Sequence, residues 1–232
     1  STPKPSSAAS DVYKRQLLVY GRFDRQESLG QYVKVVDYKS SAKKLDLCLA
    51  TLGFNIQMLL YLDMIVDSKQ EKAGVLYFNT AQRVYKEDTY VMSTPIEASG
   101  LLKEYKMEGY LLENETVIEG LGKEPELIAN VRYVKSKGSY SGNLLNQDQF
   151  NQLIQKVNER VDQIIDEIYE QGNIQIMPSH SDLPNINMQV NPCTYCEYSQ
   201  VCLKDVFYNE NREIEYIDKK EMLKVLGGEE ND

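Results

Sequence analysis

Between positions 17 and 79 the hydrophobic spacing of the chain switches from extended to helical and back, and this succession constrains the fold more than any other feature. Residues 17–25 (LLVYGRFDR) and 32–39 (YVKVVDYK) are extended runs rich in Val and Tyr, separated by a turn at 27–30. They read as the two strands of a hairpin. Over 46–66 (DLCLATLGFNIQMLLYLDMIV) the spacing becomes helical, with Leu52, Ile56, Leu59 or Leu60, and Asp63–Met64 three and four apart. Residues 73–79 (AGVLYFN) return to a short, apolar, buried strand. A second helix is expected over 147–171, where Phe150, Leu153, Ile154, Val157, Val161, Ile164, Ile165 and Ile168 make one apolar stripe that Gly172 ends. The fold class is therefore α/β, a central mixed sheet of the three strands flanked by the two helices. Residues 80–110 are polar and irregular, with one short helix around 97–108. Residues 124–132 read as a turn or short helix.

Residues 1–16 carry two prolines, four serines and no periodic pattern, and read as a disordered, non-native tail. Positions 6–16 look like translated adapter sequence, which places the native start further upstream. The globular unit is expected over 17–206 and a charged tail over 207–232, fraying after Gly227. Hydrophobic residues make up 42% and charged residues 26%, enough apolar mass for a core. No apolar run approaches about 18 residues, and no basic segment leads into an apolar one. Neither a membrane partner nor a secretory signal is expected. Three of the four cysteines crowd between positions 193 and 202, which points to a metal or cluster in a reducing compartment, and so to the cytoplasm. The net charge of −9 argues against a free-standing nucleic-acid binder, but not against a nuclease domain carried inside a larger machine. The single histidine, His180, excludes chemistry that needs two.

Three groups of residues bear chemistry. Asp24 and Asp37 lie near the ends of adjacent strands, where two carboxylates can share a divalent cation; hard oxygen ligands suit Mg²⁺ or Mn²⁺. Lys39, two residues beyond Asp37, points to the same face of its strand and can orient a water or stabilise phosphate charge. The plain alternative is a pair of turn-forming aspartates and a solvated lysine. Gln57 and Tyr61, four apart, share a helical face; Gln57 can bond a phosphate or base and Tyr61 can contact DNA or hold the lysine. The alternative is a polar residue at a helix boundary and a core tyrosine. Cys193, Cys196 and Cys202 have spacings that suit Zn²⁺ or an iron–sulfur cluster. Cys48, within the first helix, reads as a small buried packing residue, and His180 as a solvated loop residue.

Taken in order, GRFDR, VVDYKS, Gln57-Met-Leu-Leu-Tyr61, AGVLYF and CTYCEYSQVC resemble the C-terminal nuclease domain of the AddB/RexB component of AddAB-type (RexAB-type) helicase–nucleases. These form a branch of the PD-(D/E)xK, RecB-like nucleases. The resemblance runs from about Leu17 to about Val206. It implies that Asp24, Asp37 and the Tyr38 carbonyl hold Mg²⁺ or Mn²⁺, that Lys39 is the catalytic lysine, and that Gln57 and Tyr61 are the Q-x-x-x-Y pair. It further implies that Cys193, Cys196 and Cys202 match three of the four ligands of a [4Fe-4S] cluster. The family's first cluster cysteine and the metal-binding helix before the first catalytic strand have no counterpart in this sequence. The implied function is metal-dependent cleavage of DNA during double-strand-break end resection, within an ATP-dependent helicase–nuclease that has a partner subunit of the AddA/RexA kind. Two other readings stand beside it. One is a non-catalytic DNA-binding or scaffold module of the same fold, and the other a nuclease of the CRISPR-adaptation type.

Overall fold

The computed structural model describes residues 20–41, 43–81, 105–172, 178, 181–183, 188–190, 193, 196–198, 200–202, 212 and 214–227. The expectation of a tail over 1–16 lies outside them, as does His180.

The hairpin forms, but its first strand sits later than the sequence pattern suggests. β1 is Arg25–Leu29 and β2 is Tyr32–Lys39, antiparallel, with Arg25 opposite Val36 and Leu29 opposite Tyr32. Residues 20–24 precede β1 without strand pairing. Gly30, at φ +58°, makes the tight turn that β1 and β2 require. In β2 the alternation holds at both ends: Val33, Val35 and Asp37 are buried, whereas Tyr38 is exposed.

The single helix expected over 46–66 is two short ones, α1 (Leu47–Thr51) and α2 (Gln57–Ile65). Gly53 at φ +96° and Asn55 at φ +54° break it, since both stand in the left-handed region that no helix interior tolerates. The Asp46 side chain caps α1 by accepting from the Leu49 amide at 2.9 Å. The chain then enters β3 (Glu71–Asn79), which pairs parallel to β2 with Asp37 beside Tyr77. β3 is buried on both faces over Ala73–Tyr77, which explains its unbroken apolar run.

β4 (Glu108–Leu112) lies antiparallel to β3 and replaces the end of the helix expected over 97–108, most of which lies outside the described residues. Then follow α3 (Glu115–Glu119), α4 (Pro125–Ile128), the hairpin β5 (Val131–Val134) and β6 (Ser139–Gly142), and β7 (Leu144–Leu145). α5 (Gln147–Tyr169) is the expected second helix, opened by a reciprocal Asn146–Gln149 capping box. The five-stranded sheet runs β1-β2-β3-β4-β7 and is mixed: β2–β3 and β4–β7 are parallel, the other pairs antiparallel. β8 (Ser181–Leu183) and β9 (Met188–Val190) form a separate hairpin.

α2 packs on β2 and β3, and α5 packs on α1 and α2, so α2 lies between the sheet and α5. The stripe on α5 is buried from Phe150 to Val157; beyond it Ile164 and Ile165 are half-buried and Ile168 is 47% exposed. Residues 214–227, expected within a charged tail, dock on the same core. α6 (Lys219–Val225) buries Met222, the following Leu226 is fully buried, and the Tyr216 hydroxyl donates to Asp46 at 2.9 Å.

Candidate nuclease site

The antiparallel register carries Asp24 and Asp37 to the same end of the hairpin, because Arg25 already faces Val36. Asp24 stands just before β1 and is exposed; its Oδ2 accepts the backbone N–H of Tyr38 at 3.0 Å. That bond clamps the segment 20–24 onto the end of β2. Asp37 is only 5% exposed. Lys39, on the same face by strand alternation, places Nζ 2.6 Å from Asp37 Oδ2. This charge pair is the partner that the buried Oδ2 has among the described residues, as a buried carboxylate oxygen requires. Tyr77, next to Asp37 in register, has its phenol pushed up to about 12, first by burial and then by the Asp37 charge.

Gln57 and Tyr61 are joined to each other: Gln57 Nε2 donates to the Tyr61 hydroxyl at 2.8 Å. The Tyr61 ring is buried and meets Phe23 edge-on, with centroids 6.3 Å apart. It also lies so close to Gly21 that a Cβ there would collide with Tyr61 Cε1. The pair on α2 therefore braces the segment that delivers Asp24. Gly21, Phe23 and Arg25 belong to the GRFDR motif, but nothing in the sequence assigned them these contacts. Their signal is position alone, immediately around Asp24.

Among the described residues, no three His, Cys, Asp or Glu side chains gather closely enough to hold a metal ion. The metal set read from the sequence, two carboxylates and the Tyr38 carbonyl, is smaller than that. Around Cys193, Cys196 and Cys202 the backbone makes two local turns, in which the Cys196 amide donates to the Cys193 carbonyl at 3.3 Å and the Cys202 amide donates to the Tyr198 carbonyl at 2.9 Å. Local turns of this kind set spacing along the chain, but thiolates gathered at one centre gain their stability from metal binding itself. Cys48 is buried, as expected of a packing residue; burial pushes its thiol up, and its sulfur accepts the Ile217 amide at 3.4 Å.

Residues 5–203 match the family model of the PD-(D/E)XK nuclease superfamily. The chain belongs to that superfamily. The mixed sheet flanked by helices is its PD-(D/E)XK fold, and Asp37 and Lys39 on β2 have the D-x-K spacing that the superfamily's name describes. The chain is 30% identical over 223 residues to the B component of the ATP-dependent helicase/deoxyribonuclease of Oceanobacillus iheyensis, covering 89% of this chain and 18% of that protein. It is 30% identical over 227 residues to the protein of the same name from Exiguobacterium sibiricum, covering 89% and 19%. With that of Clostridium perfringens it shares 30% over 210 residues, covering 83% and 17%. The chain thus spans less than a fifth of the length of these curated relatives. Among the described residues no helix is long and apolar enough to cross a membrane.

Proposed function

We propose that this chain is the metal-dependent DNA nuclease part of an ATP-dependent helicase–nuclease that resects double-strand breaks for recombinational repair. The observation that carries it is the buried Asp37 carboxylate, ion-paired through Oδ2 to Lys39 at the strand end, beside the clamped Asp24. Superfamily membership and the names of the similar proteins support the same reading. Asp24, Asp37 and the Tyr38 carbonyl are the donors that fit Mg²⁺ or Mn²⁺, both of which favour oxygen ligands. Such an ion supplies Lewis-acid activation of water and offsets charge on the phosphodiester. Lys39 orients the attacking water and holds positive charge beside the phosphate. Gln57 and Tyr61 act as a positioning pair, through Gly21 and Phe23, on the Asp24 segment.

We assign Cys193, Cys196 and Cys202 as three ligands of a [4Fe-4S] cluster, in a cytoplasmic protein that works with a helicase partner. The test is Asp37→Asn in the full chain, assayed for Mg²⁺- or Mn²⁺-dependent release of nucleotides from labelled DNA. Cleavage should fall by at least about two orders of magnitude while DNA binding persists. Full retained cleavage would remove Asp37 from the mechanism. A wild-type protein that binds DNA without cutting it would favour the non-catalytic module instead.

A further inference from the structure

The side chains on the other face of the sheet end are not used by the site described above. Tyr38 lies between Asp37 and Lys39 in sequence but points to the opposite face, and is 42% exposed. Its ring meets Phe78, its register partner on β3, edge-on at 5.7 Å. Phe78 in turn stacks on Tyr105, with centroids 6.3 Å apart and planes 16° apart; Tyr105 is 44% exposed. On the other side, Arg25 of β1 donates to the Tyr38 hydroxyl at 3.3 Å. The four residues make one row across β1, β2 and β3 to the segment before β4. Three strand spacings span about 14 Å, the length of a few nucleotides.

We propose that Arg25, Tyr38, Phe78 and Tyr105 form a stacking platform for unpaired bases of a single DNA strand, at the sheet end that carries Asp37 and Lys39. The proposal rests on the nuclease reading and adds how the strand is held. Phe78 packs against the core, while Tyr38 and Tyr105 on either side of it leave two-fifths of their surface open to solvent. Rings of this kind stack on bases whose faces are free, which a duplex does not offer. Arg25, itself ion-paired to Glu27, keeps the Tyr38 ring in the row through its bond to the hydroxyl, so the platform holds the strand through its bases, where the net charge of −9 supplies no general attraction to DNA. A strand crossing the end of β2 brings its scissile phosphate to the Asp37 side and its flanking bases to the Tyr38 side.

The test uses the full chain, with Ca²⁺ in place of Mg²⁺ so that the strand is bound and not cut. Fluorescence anisotropy compares a labelled oligothymidylate with an abasic oligonucleotide of equal length. The wild type should prefer the base-bearing strand by about tenfold or more. Tyr105→Ala should lose most of that preference with its abasic binding unchanged, and Tyr105→Phe should keep it. Equal wild-type affinity for the two strands, or a Tyr105→Ala variant that keeps the preference, overturns the platform while Asp37-dependent cleavage leaves the nuclease reading standing. Absence of both DNA binding and Asp37-dependent cleavage overturns both.

Discussion

Asp37 and Lys39 depend on each other for stability as well as for chemistry. With Lys39 removed, a carboxylate that is 5% exposed loses the cation paired with its Oδ2. Breaking such a pair costs more than removing it, because a buried charge is left uncompensated. Lys39→Met should therefore lower unfolding stability by about 1–3 kcal/mol, discounted because the lysine is partly open to water. Adding Asp37→Asn should recover most of that loss but none of the cleavage, as read from urea midpoints and nuclease assays side by side. If Lys39→Met unfolds at the wild-type midpoint, the pair contributes nothing to the fold. The D-x-K spacing was legible in the sequence because strand alternation is local and has period two. The bracing of Gly21 and Phe23 by Tyr61 was not, because it joins positions some forty residues apart, and no local pattern encodes which ring meets which glycine.

At the scale of elements, the sequence showed where helix and strand periods occur but not where a helix breaks. The apolar spacing over 46–66 is continuous through Gly53-Phe54-Asn55, and periodicity reports burial on both sides of a break without reporting the break itself. The cause is backbone conformation: Gly53 and Asn55 both take positive φ, which redirects the chain and starts α2 at Gln57. β4 escaped notice for a different reason, since a five-residue run buried over Gly109–Leu112 has no alternation to reveal it. α5 was legible over nearly its whole length because its stripe is long and its cap is local. The break is testable. A Cβ at Gly53 would meet Arg160 Cγ at 3.4 Å, an ordinary contact, so only the φ of +96° opposes it. Gly53→Ala should cost about 1–2 kcal/mol, and Arg160→Ala in the same chain should not relieve it. Thermal unfolding of the two variants separates backbone strain from crowding; full relief by Arg160→Ala would place the cost in packing.

The whole molecule is held together by a core that draws on both ends of the described chain, and several of its tyrosines report on that closure. Residues 214–227 return to α1, where Tyr216 bonds Asp46 and the Ile217 amide reaches Cys48. Burial raises the phenols of Tyr77, Tyr110 and Tyr216 above their ordinary value of 10, with Tyr77 reaching about 12; for Tyr216 the hydrogen bond to Asp46 adds to the effect. The folded chain thus holds these side chains neutral at a pH where the unfolded chain ionises them. For Tyr77 the contribution to stability is fully present below pH 10 and is lost as the pH rises through about 12, because the unfolded state releases a proton that the folded state retains; Tyr110 and Tyr216 act in the same direction. Lys219 acts in the opposite sense: burial lowers its pKa from 10.5, so the folded chain gives up that proton first. Tyr140 and Cys48, whose burial also raises them, act with these three tyrosines and set the net direction against the one lysine. Urea midpoints should fall between pH 10 and 12, in step with tyrosinate absorbance. Tyr77→Phe, which cannot ionise, should fall less steeply than the wild type over that interval. Equal slopes for the two proteins would mean that the Tyr77 phenol titrates alike in the folded and unfolded chain, and that its place beside Asp37 is open to water.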